Sequence, residues 1–293
     1  MDYNINFPNL GIYLPHVGKN FSIGGFTIAY YGVVIAAGML LASWVVMQRA
    51  KEIGENPDDY LDVYLVTILV GVIGARVYYV VFAWDAYKDN LLSVFNIREG
   101  GLAIYGGIIF GILAIFFMSR YKKIKPGKAF EVAAMAVPLG QILGRWGNFF
   151  NREAFGGYTD SLFAMQLPVS AVRQHEITAE MWEHAVEVGG VTYIEVHPTF
   201  LYESAWNIGV LIFLFFMRKK TAFSGELFLW YLAAYGFGRF LIEPLRTDQL
   251  LVPGTAVPVS MVVAAACVIG GIGLSVLGRK RAGGQSGDSR DRK

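Results

Sequence analysis

Seven long apolar segments, separated by polar stretches, run along this chain. Each is near the length of about 20 residues that an α-helix needs to cross a hydrocarbon layer about 30 Å thick. We therefore expect an all-α integral membrane protein with seven transmembrane helices. The pattern predicts these helices at about 28–48, 61–83, 102–118, 129–150, 198–217, 225–243 and 257–277.

The largest polar stretch covers residues 151–197. Alternation over residues 191–196 predicts a strand, and residues 179–186 fit a short helix. The stretch is too small for a core of its own, so we interpret it as a cap on the outer side of the membrane. Residues 1–27 are interpreted as a polar and aromatic segment with turn signals at Pro8, Gly11, Pro15 and Gly24-Gly25.

The predicted domain organisation is simple. A single seven-helix membrane domain covers residues 1–281 and contains the cap at 151–197. Residues 282–293 are rich in Gly, Ser, Asp and Arg and predict a disordered cytoplasmic tail.

Composition agrees with a membrane protein. Apolar residues make up 55% of the chain and charged residues 16%, well below the roughly 25% of soluble domains. The net charge of +2 is too small to indicate nucleic-acid binding. The one cysteine, Cys267, excludes a disulfide within the chain and a metal site built on two cysteines. We expect no cofactor and no metal.

The basic residues predict the orientation. Of the 25 Lys and Arg residues, 16 lie in the loops after the first, third and fifth helices and in the C-terminal tail, whereas six lie in the N-terminal segment and the other loops. By the positive-inside rule, the N-terminus is outside and the C-terminus is cytoplasmic.

The remaining three basic residues, Arg76, Arg145 and Arg239, lie inside predicted helices. At 1.5 Å per residue, each is about 21 to 24 Å from the cytoplasmic start of its helix. Charges at this depth are costly unless they are paired or hydrated. The agreement in depth predicts a polar chamber that opens toward the outer leaflet, with Tyr105 and Glu203 at the same level.

Chemistry concentrates at the end of the fourth helix. Gln141, Arg145 and Asn148 share one helix face, and nearby glycines leave room for a ligand or a second backbone. Two guanidinium groups from separate helices suit an anionic phosphate, because each forms bidentate bonds and stays charged. Helix packing through small residues and passive contact with lipid headgroups are the competing explanations.

Two further patterns have a structural explanation, which for Glu243 is no stronger than a functional one. Glu243 follows Arg239 by four residues and can pair with it along the helix. Gly107 and Gly111 form a GxxxG spacing, for which helix packing is the favoured explanation.

These residues resemble a known family, the prolipoprotein diacylglyceryl transferases of bacterial inner membranes. The main signature is Gly144-Arg145-x-Gly147-Asn148-Phe149-x-Asn151-x-Glu153, followed by Gly156. Supporting matches are Tyr30-Tyr31-Gly32, Gly74-Ala75-Arg76, Gly100-Gly101-Leu102, Gly106-Gly107, His197-Pro198-Thr199, Leu201-Tyr202-Glu203, Tyr235-Gly236-x-Gly238-Arg239, Glu243 and Arg246.

The resemblance implies transfer of a diacylglyceryl group from phosphatidylglycerol to the lipobox cysteine thiol of a preprolipoprotein. The product is a thioether, and glycerol phosphate is released. The implied catalytic residues are Arg145, Arg239, Tyr105 and Tyr235. The implied substrate-binding residues are Tyr31, Arg76, Asn148, Asn151, Glu153, Gly156, His197, Glu203, Glu243 and Arg246. The implied partners are the bilayer, phosphatidylglycerol and the signal peptide of a preprolipoprotein, and we expect a monomer.

Tyr105 departs from the family pattern. Many members carry a histidine there, which has been proposed as the base for the cysteine thiol. A tyrosine with an ordinary pKa near 10 is a poor base at neutral pH. We hypothesise that another group or water removes the proton and that Tyr105 donates a hydrogen bond to the headgroup.

Two other classes of function compete with the transferase. One is a membrane transporter or channel with an outward-facing, anion-binding vestibule, which typically carries an internal repeat that this chain lacks. The other is an intramembrane hydrolase, but Ser, His and Asp residues do not group at the common depth.

Overall fold

A computed structural model describes residues 4–97 and 100–288 of the chain. Within these ranges, one long helix covers most of each predicted apolar segment, and a short helix lies in the cap. The helices are α1 (Tyr30–Glu52), α2 (Pro57–Phe82), α3 (Ile104–Tyr121), α4 (Pro126–Asn151), α5 (Ala179–Glu183), α6 (Thr199–Met217), α7 (Glu226–Ile242) and α8 (Val259–Asp288).

Five helices, α1, α2, α3, α6 and α8, are long and apolar enough to cross a membrane. Large apolar side chains on them, such as Leu40, Phe117 and Ile269, are 63% or more exposed. Such exposure is expected where lipid rather than water surrounds the protein. The chain is therefore a mostly helical integral membrane protein.

The C-terminal end of α8 extends into the predicted tail. The helix ends at Asp288, whereas the composition predicts disorder from residue 282. Residues 289–293 lie outside the described residues.

The predicted membrane domain contains two compact units. The first comprises Met1–Ala42, Val137–Lys220 and Leu229–Lys293, and the second comprises Ser43–Ala136 and Thr221–Phe228.

In the first unit, the cap is a five-stranded antiparallel sheet. Its strands are β1 (Ile5–Phe7), β2 (Ile12–Leu14), β5 (Met165–Pro168), β6 (Val186–Val188) and β7 (Val191–Val196), in the order β2-β1-β5-β7-β6. Strands β3 (Asn20–Ile23) and β4 (Phe26–Ala29) form a separate hairpin.

The sheet confirms one predicted strand and shows that the all-α fold class is incomplete. β7 covers the predicted strand at 191–196. The turn signals in residues 1–27 are confirmed at Gly11, Pro15 and Gly24-Gly25, but the segment also supplies strands of three or four residues, β1 to β4, that the pattern does not predict. Such short strands, interrupted by Pro and Gly, give little alternation to detect. The all-α fold class therefore needs the addition of this small sheet.

The core of the cap explains how so small a loop folds. Ile5 of β1, Leu167 of β5 and Ile194 of β7 are fully buried together. The same cluster includes Phe149 at the end of α4 and Phe200 at the start of α6. The N-terminal strand and the ends of α4 and α6 therefore complete a core that residues 151–197 do not fill alone.

In the second unit, α2 and α3 pack through glycines. A side chain at Gly74 of α2 would overlap the ring of Phe110, and one at Gly106 of α3 would overlap Tyr78 and the backbone of α2. Gly107 faces the carbonyl of Gly71. The closest approach in α3 is therefore at Gly106, next to the predicted Gly107–Gly111 pair, whose members face α2 at ordinary van der Waals distance.

Candidate active site

Arginines from two helices converge on one carboxylate in the first unit. Arg145 of α4 places Nη2 2.5 Å from Oε2 of Glu203, which lies on α6. Arg239 of α7 places Nη1 2.7 Å from Oε1 of the same residue. A third guanidinium, that of Arg246, lies 3.2 Å from Oε1. Glu203 is therefore the shared acceptor of three cations, and its side chain is only 3% exposed.

Two more carboxylates neutralise the cluster. Oε2 of Glu243 lies 2.5 Å from Nη2 of Arg239, which is the ion pair along the helix that the spacing predicts. Asp248 accepts two bonds from Arg246, at 2.9 and 2.7 Å. Three guanidinium groups thus meet three carboxylates, which is how charges are tolerated when they are withdrawn from water. We call Arg145, Arg239, Arg246, Glu203, Glu243 and Asp248 the ionic cluster.

Arg246 illustrates the balance within the ionic cluster. Burial lowers the pKa of its guanidinium, but hydrogen bonding to Asp248 and the charges of Asp248 and Glu203 outweigh burial and raise that pKa overall. Arg246 therefore remains charged.

The end of α4 has a defined turn that fixes the residues after it. The amide of Glu153 donates to the carbonyl of Asn148 at 3.1 Å, and the amide of Arg152 donates to that of Phe149 at 3.2 Å. This pair of bonds, with Arg152 at φ 55°, forms a Schellman motif. A left-handed conformation costs about 1 kcal/mol outside glycine. The guanidinium of Arg152 offsets that cost by donating to the carbonyls of Phe150 and Val17.

Glu153 is held at the centre of a polar chain. Its Oε1 accepts from Nδ2 of Asn148 at 3.2 Å and from Nδ2 of Asn151 at 3.1 Å. Its Oε2 lies 3.3 Å from Nη2 of Arg173, in the cap. Asn148 in turn accepts from Arg145 at 3.4 Å. Glu153 therefore connects the ionic cluster with the cap.

Tyr31 packs on the signature glycine. A Cβ at Gly147 would overlap the ring of Tyr31, which lies in the first turn of α1. Gly147 therefore allows α1 and α4 to approach closely beside Arg145. This supports the expectation that the glycines of the signature leave room for a second element.

Gly156 and His197 are held in a tight junction. The amide of Gly156 donates to the carbonyl of His197 at 2.9 Å, and a Cβ at Gly156 would lie 2.7 Å from the carbonyl oxygen of Leu245. Nδ1 of His197 lies 3.3 Å from the hydroxyl of Tyr202. Burial lowers the pKa of His197, so its imidazole is neutral at pH 7.

Tyr235 lies one turn before Arg239 on α7. Its ring stacks on that of Tyr231, with centroids 5.8 Å apart. This stacking holds the ring of Tyr235 one helical turn before Arg239.

Comparisons with known proteins show the family. The family model described as prolipoprotein diacylglyceryl transferase matches residues 19–277. The chain belongs to this family. A protein of Clostridium botulinum (strain Langeland) named phosphatidylglycerol--prolipoprotein diacylglyceryl transferase is 43% identical over 230 residues, which cover 78% of this chain and 85% of that protein. A protein of Clostridium kluyveri (strain ATCC 8527) with the same name is 43% identical over 232 residues, covering 79% and 86%.

In this member of the transferase family, Arg76 has a different environment from the one expected. Its five N–H groups all donate to backbone carbonyls of the loop after α2, at 2.7 to 3.1 Å. The acceptors are Ser93, Val94, Asn96, Gly100 and Gly101. The side chain anchors this loop and has no N–H group left for a phosphate, so its geometry gives the predicted substrate contact no support.

Tyr105 lies in the first turn of α3, in the second unit, and is half-buried. The preceding backbone is fixed, since the amide of Ala103 donates to the carbonyl of Ala75 on α2 at 3.0 Å. The role of Tyr105 toward the substrate stays a prediction.

Sequence reasoning missed two charged residues of this region. Asp248 follows Arg246 by two residues, a spacing that does not stand out in a loop. Arg173 lies 20 residues after Glu153 in an irregular segment. A basic residue in an otherwise basic-poor outer loop is the signal that could have identified Arg173.

Proposed function

We propose that this protein transfers the diacylglyceryl group of phosphatidylglycerol to the cysteine thiol of a prolipoprotein lipobox. One observation supports the assignment most strongly. Arg145 and Arg239, from two different helices, meet at the same buried carboxylate. Family membership supplies the reaction, and this convergence supplies a site suited to a phosphate.

The reaction moves charge onto the phosphate. The thiol loses a proton, an S–C bond forms to the terminal glyceryl carbon, and the bond from that carbon to the phosphodiester oxygen breaks. The electron pair stays on that oxygen, so a phosphodiester with one negative charge becomes a phosphomonoester that approaches two. Fixed guanidinium groups stabilise the charge that develops in the transition state.

Arg145 and Arg239 are the residues we assign to this stabilisation. Each is held by Glu203, so its orientation is set before the lipid arrives. Pre-oriented donors need no reorganisation during the reaction, which is the source of their catalytic effect. Glu243 holds Arg239, and the polar chain through Asn148 and Glu153 holds Arg145.

The other expected contacts lie in the first unit, as Arg145 and Arg239 do. We assign headgroup and peptide contacts to Tyr31, Asn148, Asn151, Glu153, Gly156, His197, Arg246 and Tyr235. Asp248 is added as the residue that orients Arg246.

The base is not Tyr105 in our proposal. A thiol with a pKa near 8.5 is a few per cent thiolate at neutral pH, so water or a weak base suffices. Tyr105→Phe should then reduce transfer by less than about tenfold. Loss of all transfer while phosphatidylglycerol binding persists would overturn this assignment.

We also propose seven spans, with the N-terminus and the cap outside a bacterial cytoplasmic membrane and the site toward the outer leaflet. The five strongly apolar helices and the distribution of Lys and Arg support this arrangement. A monomer is sufficient for the site, since the whole ionic cluster comes from one chain.

The test is a transfer assay with purified protein in detergent, labelled phosphatidylglycerol and a lipobox peptide. Label should move to the peptide cysteine, and Arg145→Lys or Arg239→Lys should lower the rate by about 100-fold or more, because lysine retains charge but loses the fork. Arg279→Lys, an exposed site on α8, is the matched control and should be silent. Free fatty acid or a cleaved peptide would indicate a hydrolase, and no chemistry with saturable anion binding would favour a transporter or channel.

A further inference from the structure

A second polar site lies in the cap. A cavity of about 410 Å³ opens between the N-terminal segment, the end of α4 and residues 170–173. Lys19, Asn151, Glu153 and Arg173 are among the residues that line it. Its volume is within the range of small-molecule sites, about 300–1,000 Å³.

The cavity has an excess of positive charge. Lys19, Arg152 and Arg173 line it together with a single carboxylate, that of Glu153. Burial lowers the pKa of Lys19 most, and the charges of Arg152 and Arg173 lower it further, whereas the carboxylates of Glu153 and Glu176 act in the opposite direction and offset these effects only in part. Its Nζ lies 3.4 Å from the carbonyl of Ala171, an acceptor without charge. An anion placed among these groups would relieve their mutual repulsion.

The cations are positioned by the fold. Arg152 donates to the carbonyl of Val17, which fixes the segment that carries Lys19 against the end of α4. Arg173 is held by the buried carboxylate of Glu176 at 3.2 Å and by Glu153 at 3.3 Å. Both distances are long for charge-assisted bonds, which are typically 2.7–2.9 Å. Arg173 can therefore turn toward a stronger acceptor without breaking a short bond.

The cavity is connected with the ionic cluster through Glu153. One oxygen of Glu153 accepts from Asn148 and Asn151, and the other faces Arg173. Asn148 also contacts Arg145. Two cation sites, one membrane-embedded and one in the cap, thus share a single connecting carboxylate.

We propose that this cavity binds a small phosphomonoester, the glycerol phosphate released by transfer, on its way to the outer water. The proposal rests on the function proposed above. A phosphomonoester carries about −1.5 to −2 charges at pH 7 and three strong acceptor oxygens, which match Lys19, Arg173 and the amide of Asn151. A lipid phosphodiester fits less well, because it has one charge and acyl chains that need an apolar path.

The test measures binding directly, without lipid or peptide. Labelled glycerol 1-phosphate is dialysed to equilibrium against the purified full-length protein in an uncharged detergent. Binding should saturate, compete with inorganic phosphate and not compete with glycerol. Lys19→Gln and Arg173→Gln should each weaken it by about tenfold or more, since each removes a charge-assisted bond.

Controls separate this site from general charge and from misfolding. Lys88→Gln removes an exposed lysine that pairs with Asp85 and should leave binding unchanged. Arg173→Lys keeps the charge and should retain more affinity than Arg173→Gln. Wild-type affinity in both Gln variants, or no saturable binding in the wild type, would overturn the proposal.

The two proposals fail in different ways. Diacylglyceryl transfer without glycerol phosphate binding would contradict only the assignment of the cavity. Glycerol phosphate binding without transfer would contradict the proposed reaction but still support a phosphomonoester site. In nanodiscs, Lys19→Gln should leave retention of phosphatidylglycerol over phosphatidylcholine unchanged. If it abolished that preference instead, the cavity would hold a lipid headgroup, and our assignment would be wrong.

Discussion

Glu203 is the residue that makes three neighbouring guanidinium groups compatible. Its two oxygens accept from Arg145, Arg239 and Arg246, and its side chain is almost fully buried. Without its charge, three cations share the two remaining carboxylates, Glu243 and Asp248. Removing one partner of such a buried network usually destabilises a protein by about 3–5 kcal/mol.

We therefore expect Glu203→Gln to lower the melting temperature in detergent by on the order of 10 °C. Transfer should fall as well, because Arg145 and Arg239 lose the group that orients them. Ser204→Ala is the matched control on α6, since Ser204 donates one hydrogen bond to the carbonyl of Ile142. A variant at Glu203 that melts like the Ser204 variant would show that the ionic cluster is not a stability determinant.

At the level of single residues, the sequence was most informative where charge and helix geometry act together. Arg145, Arg239 and Glu243 lie in helices, where depth and the four-residue spacing are readable, and all three join the ionic cluster. Arg76 lies at the same predicted depth, but all its N–H groups donate to a loop whose path the sequence does not reveal. Asp248 and Arg173 lie in irregular segments, so their partners depend on tertiary structure.

At the level of elements, Gly147 of the signature determines how closely α1 and α4 approach. Gly147→Ala should destabilise the protein by about 1–3 kcal/mol, because the new methyl group overlaps the ring of Tyr31. Gly140→Ala is a control on the same helix, with no atom within 4 Å of the added methyl. It should be neutral or slightly stabilising. Thermal unfolding in detergent distinguishes them, and equal melting temperatures would contradict the packing role.

The loop after α2 depends on Arg76. Arg76→Lys replaces five directed N–H groups by one ammonium, so most of the carbonyl bonds to residues 93–101 are lost. Amide hydrogen exchange in this loop should accelerate by about tenfold or more, because each charge-assisted bond contributes about 1.5–3 kcal/mol. Arg120→Lys on α3 is the control. Unchanged exchange in the Arg76 variant would mean that other contacts hold the loop.

At the level of elements, hydropathy predicts helices well and short strands badly. Each of α1–α4 and α6–α8 covers most of a predicted segment, because a run of about 20 apolar residues has few other stable structures in lipid. β1 has three residues and pairs through Asn6 with Gln166 of β5, about 160 positions away. The residues near β1 in sequence do not indicate which distant strand it pairs with.

At the level of the whole molecule, orientation is the prediction to check. The orientation can be tested by cysteine labelling, because Cys267 is the one cysteine of the chain and Cys267→Ala gives a cysteine-free background. Single substitutions Asp89→Cys and Lys219→Cys then place thiols in two exposed loops. A membrane-impermeant maleimide should label the first in intact cells and the second only after permeabilisation. The reverse pattern would invert the proposed topology.

The position of β1 in the cap sheet constrains how the protein is made. β1 pairs with β2 immediately, but its other edge pairs with β5, whose residues 165–168 are synthesised only after α1–α4. A nascent chain therefore carries an open strand edge while α1–α4 are synthesised, and such edges are prone to wrong pairing. The sheet can close only after residue 168 has been added, so translation order delays completion of the cap.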